Sequence, residues 1–94
     1  NTITVYQDGE WREPFYNKTL VVYNEARKTI TFSNNKWGKM VLKITSSKRQ
    51  GDMEYHMCKD INTNKYYIVT ITEENNIPYI SLSPSKDVIY LFGF

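Results

Sequence analysis

Lys28-Thr29-Ile30-Thr31-Phe32 alternates strictly between polar and apolar side chains, and this period of two decides the fold class. A helix would repeat its apolar positions every three or four residues, whereas a strand sends successive side chains to opposite faces. The same alternation recurs in Thr2-Ile3-Thr4-Val5, Met53-Glu54-Tyr55-His56-Met57, Val69-Thr70-Ile71-Thr72 and Ile80-Ser81-Leu82-Ser83. β-branched and aromatic residues fill these runs, so propensity agrees with pattern. Asn24-Glu25-Ala26-Arg27 tolerates a helix but spans barely one turn, and it reads as a turn.

Turn formers separate the runs: Gln7 to Glu10, Asn24 to Arg27, Ser33 to Asn35, Ser46 to Asp52, Asp60 to Asn64, Glu73 to Asn76 and Ser83 to Asp87. Asp8-Gly9 carries the strongest hairpin signal, because both residues accept positive φ. Strands are predicted at about 2–7, 10–16, 19–24, 27–33, 39–45, 53–59, 65–73, 77–83 and 87–93. Parallel neighbours need crossovers of about a dozen residues or more, and no gap is that long. Pro14 and Pro78 cannot donate to a ladder, which makes their runs edges, strand starts or irregular and favours eight strands over nine. The expected fold is an all-β, antiparallel up-and-down meander, one domain over 1–94, forming a small barrel or a two-layer sandwich. Ser46 to Gly51 is expected to be the longest and most polar connection.

The terminal Asp87-Val88-Ile89-Tyr90-Leu91-Phe92-Gly93-Phe94 places Val88, Tyr90 and Phe92 on one face and Ile89 and Leu91 on the other. Such a strand needs both faces covered. Two arrangements satisfy it: pairing with the N-terminal hairpin at a closure seam, or presentation to a second chain, where strand addition gives a homodimer or a docked partner peptide.

Composition narrows the functional classes. Ninety-four residues with 40% hydrophobic content suffice for one core, not two. A net charge of +2 falls short of the excess that would by itself point to nucleic acid or an anionic membrane. The longest apolar run is much shorter than the 18 or so residues of a membrane helix. Cys58 has no cysteine partner, so no internal disulfide supports the fold. A chain beginning at Asn1 fits a mature exported protein, a trimmed product or a piece of a longer one.

Chemistry-bearing patterns are sparse. Glu54, His56 and Cys58 share one face of a strand with Asp60 beyond, but a metal site would lack a second His or Cys. That face is read as the solvent side. A Cys58 nucleophile would depend on a histidine two residues away on a strand whose side chains diverge, with no group placed by sequence to orient the imidazole. No enzyme, cofactor or metal is expected. Lys36, Lys39, Lys43, Lys48 and Arg49 surround Trp37, an arrangement compatible with single-stranded nucleic acid, although Glu25, Asp52 and Glu54 dilute it. Trp11 and Trp37 sit beside turns, where each serves either as a plug or as a binding anchor. The candidate binding residues are Trp11, Trp37, Arg49, Tyr90 and Phe92.

Asp8-Gly9-Glu10-Trp11, Val22-Tyr23-Asn24 leading to Thr29-Ile30-Thr31-Phe32, and Cys58-Lys59-Asp60 before Tyr66-Tyr67-Ile68 together resemble small secreted bacterial β proteins of the calycin-like (lipocalin-like) type. The resemblance implies a secreted or periplasmic location more than a mechanism. Lipocalins carry Gly-x-Trp near the first strand, whereas Gly9-Glu10-Trp11 follows a first strand here. The expectation is a binding module that contacts a protein or carbohydrate through aromatic surface or its last strand. The alternatives are a carrier of an apolar ligand and a single-strand nucleic-acid binder.

Overall fold

A computed structural model describes residues Thr2–Phe94. Every regular element is a strand: β1 (Thr2–Gln7), β2 (Glu10–Trp11), β3 (Phe15–Tyr16), β4 (Thr19–Asn24), β5 (Thr29–Asn34), β6 (Gly38–Gln50), β7 (Met53–Asp60), β8 (Tyr66–Glu74), β9 (Ile77–Ser85) and β10 (Val88–Gly93). All pairings are antiparallel, in the order β2-β1-β10-β9-β8-β7-β6-β5-β4, with β3 also on β1. The predicted all-β meander is therefore present. The sheet is not closed into a barrel, because no ladder joins β4 to β2 or β3.

The two edges of this curled sheet are consecutive in sequence. Only Asn17 and Lys18 lie between β3 and β4, so the chain itself spans the slit. The expected second strand at 10–16 breaks into β2 and β3 around Arg12-Glu13-Pro14, as a proline without an N–H requires. The first and last strands, β1 and β10, in contrast, lie in the sheet interior. Ile3 pairs with Phe92 and Val5 with Tyr90, while the other edge of β10 pairs with β9, Phe92 opposite Ile80. Strand addition at β10, in a homodimer or with a docked peptide, is thereby corrected, since both of its edges are paired within the sheet. Phe92, 1% exposed, is a central core residue.

Ser46 to Gly51 is not a loop. β6 continues to Gln50 and forms a long hairpin with β7, turning at Gly51-Asp52, where Gly51 has a φ of 61°. Glycine at the first central position suits a type II′ turn. Asp8-Gly9, at φ values of 56° and 81°, makes the predicted turn between β1 and β2.

Ile3, Ile30, Phe32, Leu42, Ile44, Cys58, Val69, Leu82 and Phe92 form one buried cluster inside the curl. Its members come from β1 and from every strand between β5 and β10. Burial of this concave face corrects the reading of β7: His56, Cys58 and Asp60 point inward, while Met57 on the opposite face is 44% exposed. Small Cys58 fits among Ile44 and Val69, and Asp60 finds partners in the adjoining turn. The Asp60 carboxylate accepts the N–H groups of Asn62, at 2.8 Å, and Thr63, at 3.2 Å, closing the turn to β8. Asp60 is thus explained by its turn.

Candidate functional site

Trp37, Tyr90 and Phe92 come together. The turn after β5 is shaped by Asn34, whose Oδ1 accepts the backbone N–H groups of Lys36 at 3.0 Å and Trp37 at 2.7 Å. Its Nδ2 donates to Thr19 Oγ1 at 3.3 Å, which ties the turn to the start of β4. So fixed, the Trp37 ring stands edge-on to Tyr90 with centroids 5.3 Å apart, and to Phe92 at 6.4 Å. Phe15 approaches from the β3 side at 6.4 Å and carries the Lys36 ammonium over its face at 4.4 Å.

These rings wall a cleft of about 260 Å³ at one end of the curled sheet, with Phe32 and Met40 on one side and Leu82 on the other. Trp37 is 47% exposed, so its ring forms part of an accessible wall. The cleft is mainly apolar. Asn34 is spent on the turn, which leaves the hydroxyls of Tyr67 and Tyr90 as the phenolic groups at its lining. Burial, with the Asp60 carboxylate and Tyr90 adding to it, raises the Tyr67 phenol above its ordinary value, so this hydroxyl stays a neutral donor.

Trp11 and Arg49 lie elsewhere. Trp11 packs edge-on against Tyr6 at 5.1 Å on β1 and remains half exposed. Arg49 sits at the far end of β6 with Nη1 3.5 Å from Glu54 Oε2. The basic residues around Trp37 disperse as well: Lys36 sits over Phe15, Lys43 donates to the Arg27 carbonyl at 2.8 Å, and Lys48 lies over Tyr55.

A second constellation adds Ser47, which the sequence reading missed, to the Glu54 and His56 face it had singled out. β6 and β7 shift register between Ile44 and Ser46, so Thr45 is an extra residue that has no partner across the ladder. Thr45 Oγ1 donates to the Met57 carbonyl at 3.0 Å at this bulge. Past it the inward parity of β6 changes, and Ser47 rather than Ser46 faces His56. Ser47 Oγ and His56 Nδ1 are 2.7 Å apart, and His56 Nε2 lies 3.3 Å from Glu54 Oε1. Tyr23 on β4 closes a third side, edge-on to the imidazole at 5.5 Å. No pattern in Thr45-Ser46-Ser47-Lys48 announces the bulge.

Among the described residues no cluster of His, Cys, Asp and Glu side chains is arranged to hold a metal ion. None of the helix length needed to cross a membrane is present there either. Comparison of the chain with protein-family models, with curated proteins and with solved structures finds no match.

Proposed function

We propose that this domain is a binding module that receives an apolar side chain of a partner protein in the cleft walled by Trp37, Tyr90 and Phe92. The observation that carries this reading is the half-exposed Trp37 ring, held by an Asn34-capped turn over a preformed apolar floor. Aromatic anchors that are rigid before binding lose little freedom on association, and Trp and Tyr are enriched where binding energy concentrates. A cleft of about 260 Å³ is smaller than most sites for free small ligands, which favours a single inserted side chain over a carried lipid. Carbohydrate is disfavoured because Asn34, the amide of the lining, already spends its hydrogen bonds on the fold. The resemblance to secreted calycin-like proteins is the ground for an exported location.

The test uses simple fragments followed by NMR at the Trp37 indole N–H. Indole, phenol and isobutanol at millimolar concentration are expected to shift that resonance saturably, while methyl glucoside does not. The Tyr90→Ala variant should weaken the response. Absence of any saturable shift with the apolar fragments overturns the reading; a response to the glucoside alone replaces the partner by a sugar.

A further inference from the structure

We propose that Ser47 is an activated nucleophile toward reactive esters, with His56 as its general base and Glu54 as the carboxylate that orients the imidazole. The site lies past the bulge on β6, ten residues along the chain from Trp37, and is separate from the aromatic cleft.

Three features of the geometry support the assignment. Ser47 Oγ is within hydrogen-bond reach of Nδ1 at 2.7 Å. The Glu54 carboxylate stands at the other ring nitrogen, 3.3 Å from Nε2, and a carboxylate there favours the tautomer with its proton on Nε2. Nδ1 is then the acceptor and the Ser47 hydroxyl the donor, as a base–nucleophile pair requires. Burial separates the roles: the imidazole is 2% exposed and shielded from water, whereas Ser47 is exposed and open to a substrate.

His56 Nε2 is buried without a hydrogen bond, because the Glu54 contact is misaligned. An imidazolium formed during attack would draw the carboxylate in, so the interaction strengthens as charge develops. Arg49 holds the second carboxylate oxygen from β6 and is the cation on the Ser47 face, about 7 Å along the strand from it. The groups facing the imidazole are Ser47 and, through Glu54, Arg49 from β6; Glu54 and Cys58 from β7; Tyr23 from β4; and the apolar Val69 from β8.

In the reaction, Ser47 Oγ forms a bond to the ester carbonyl carbon as its proton passes to Nδ1. The bond from that carbon to the leaving oxygen breaks, and the departing alcohol takes the proton. Water then bonds to the acyl carbon as its proton passes to His56 Nδ1; the bond from that carbon to Ser47 Oγ breaks, Oγ takes the proton back from the imidazolium, and a carboxylic acid is released. No oxidant or cofactor enters.

The test treats the whole chain with p-nitrophenyl acetate and, separately, with a fluorophosphonate. One adduct on intact mass, mapped to Ser47, is expected from the folded protein, together with p-nitrophenol release. Ser47→Ala, an exposed change, should abolish the adduct while keeping the β-sheet spectrum. His56→Gln should slow labelling by about 100-fold. Glu54→Gln should slow it less and displace the pH profile of labelling, with Glu54→Asp restoring part of the rate. Lack of a Ser47 adduct on folded protein overturns the proposal, as does unchanged labelling in Glu54→Gln and Ser47-independent labelling. Should His56→Gln fail to fold, the Ser47 and Glu54 variants decide.

Discussion

Trp37 and Tyr90 meet edge-on at 5.3 Å, with ring planes inclined at 62°, and the contact pins the turn after β5 onto β10 across the inside of the sheet. Two strands far apart in the sheet order are held together without a ladder between them. Ring contacts thus help keep an open sheet curled, and the same rings form the accessible cleft.

Removing the Trp37 ring should therefore affect both stability and binding. Trp37→Ala is expected to cost about 2–3 kcal/mol, since the ring stands edge-on to Phe15, Tyr90 and Phe92, each such pair being worth about 0.5–1.5 kcal/mol beyond burial, while half of the ring is already exposed. Urea unfolding followed by tyrosine fluorescence measures the loss. A cost above about 4 kcal/mol would make the ring a core residue rather than an accessible wall.

The C-terminal strand should be indispensable. Phe92→Ala is expected to cost about 3–5 kcal/mol as a buried Phe truncation. Deleting Val88 to Phe94 should unfold the domain, because it unpairs β1 and β9 together. Circular dichroism of the truncated chain checks this, and a retained cooperative transition would contradict the interior position of β10.

Asp60→Ala should lose about 2–3 kcal/mol, since two backbone N–H groups lose a charged acceptor. Asp60→Asn, which retains an acceptor oxygen, should lose less. Equal losses in the two variants would show that the carbonyl geometry is not the source of the stabilisation.

Burial pushes the Cys58 thiol from 9.0 up to about 11. The folded thiol thus keeps its proton over a range where the unfolded thiol has lost it. The native state binds more protons in that window, so this group's contribution to stability falls as pH rises between about 9 and 11 and levels off above. Cys58→Ala should flatten that slope, measured by urea midpoints across the range. Native Cys58 should also react with iodoacetamide only at the rate of unfolding.

β4 is the exposed edge of the sheet with no proline or lysine within it, and it presents Leu20, 63% exposed, and Val22, 46% exposed. Unprotected edges of this kind recruit further strands. Val22→Lys should lower concentration-dependent association, read by light scattering, while changing the unfolding midpoint little. Association unchanged by the substitution would move the contact away from this edge.

Much of the secondary structure was legible because period-two alternation and turn chemistry act locally. Asp8-Gly9 turned as its φ preferences require, and Pro14 broke its strand for lack of an N–H. Ser46 to Gly51 misled because polar residues read as a loop when they continue a strand whose faces are both wet. The place of Ser47 beside His56 and Glu54 was invisible for a related reason: a single unpaired Thr45 changed which serine faced the imidazole, and bulges leave no fixed trace in composition.

The sequence by itself determined that strands alternate, that they run antiparallel, and that one apolar face had to be covered. Tertiary structure alone decided which face that was and where the sheet stopped. Alternation defines two sets of side chains on a strand such as β7 but does not rank Met53, Tyr55 and Met57 against Glu54, His56 and Cys58. The curvature of the whole sheet makes that choice, because the concave side admits the small thiol and supplies partners for the polar groups. The same long-range packing leaves the slit at β3 and β4, because β3 is only two residues long and is paired with β1, not with β4.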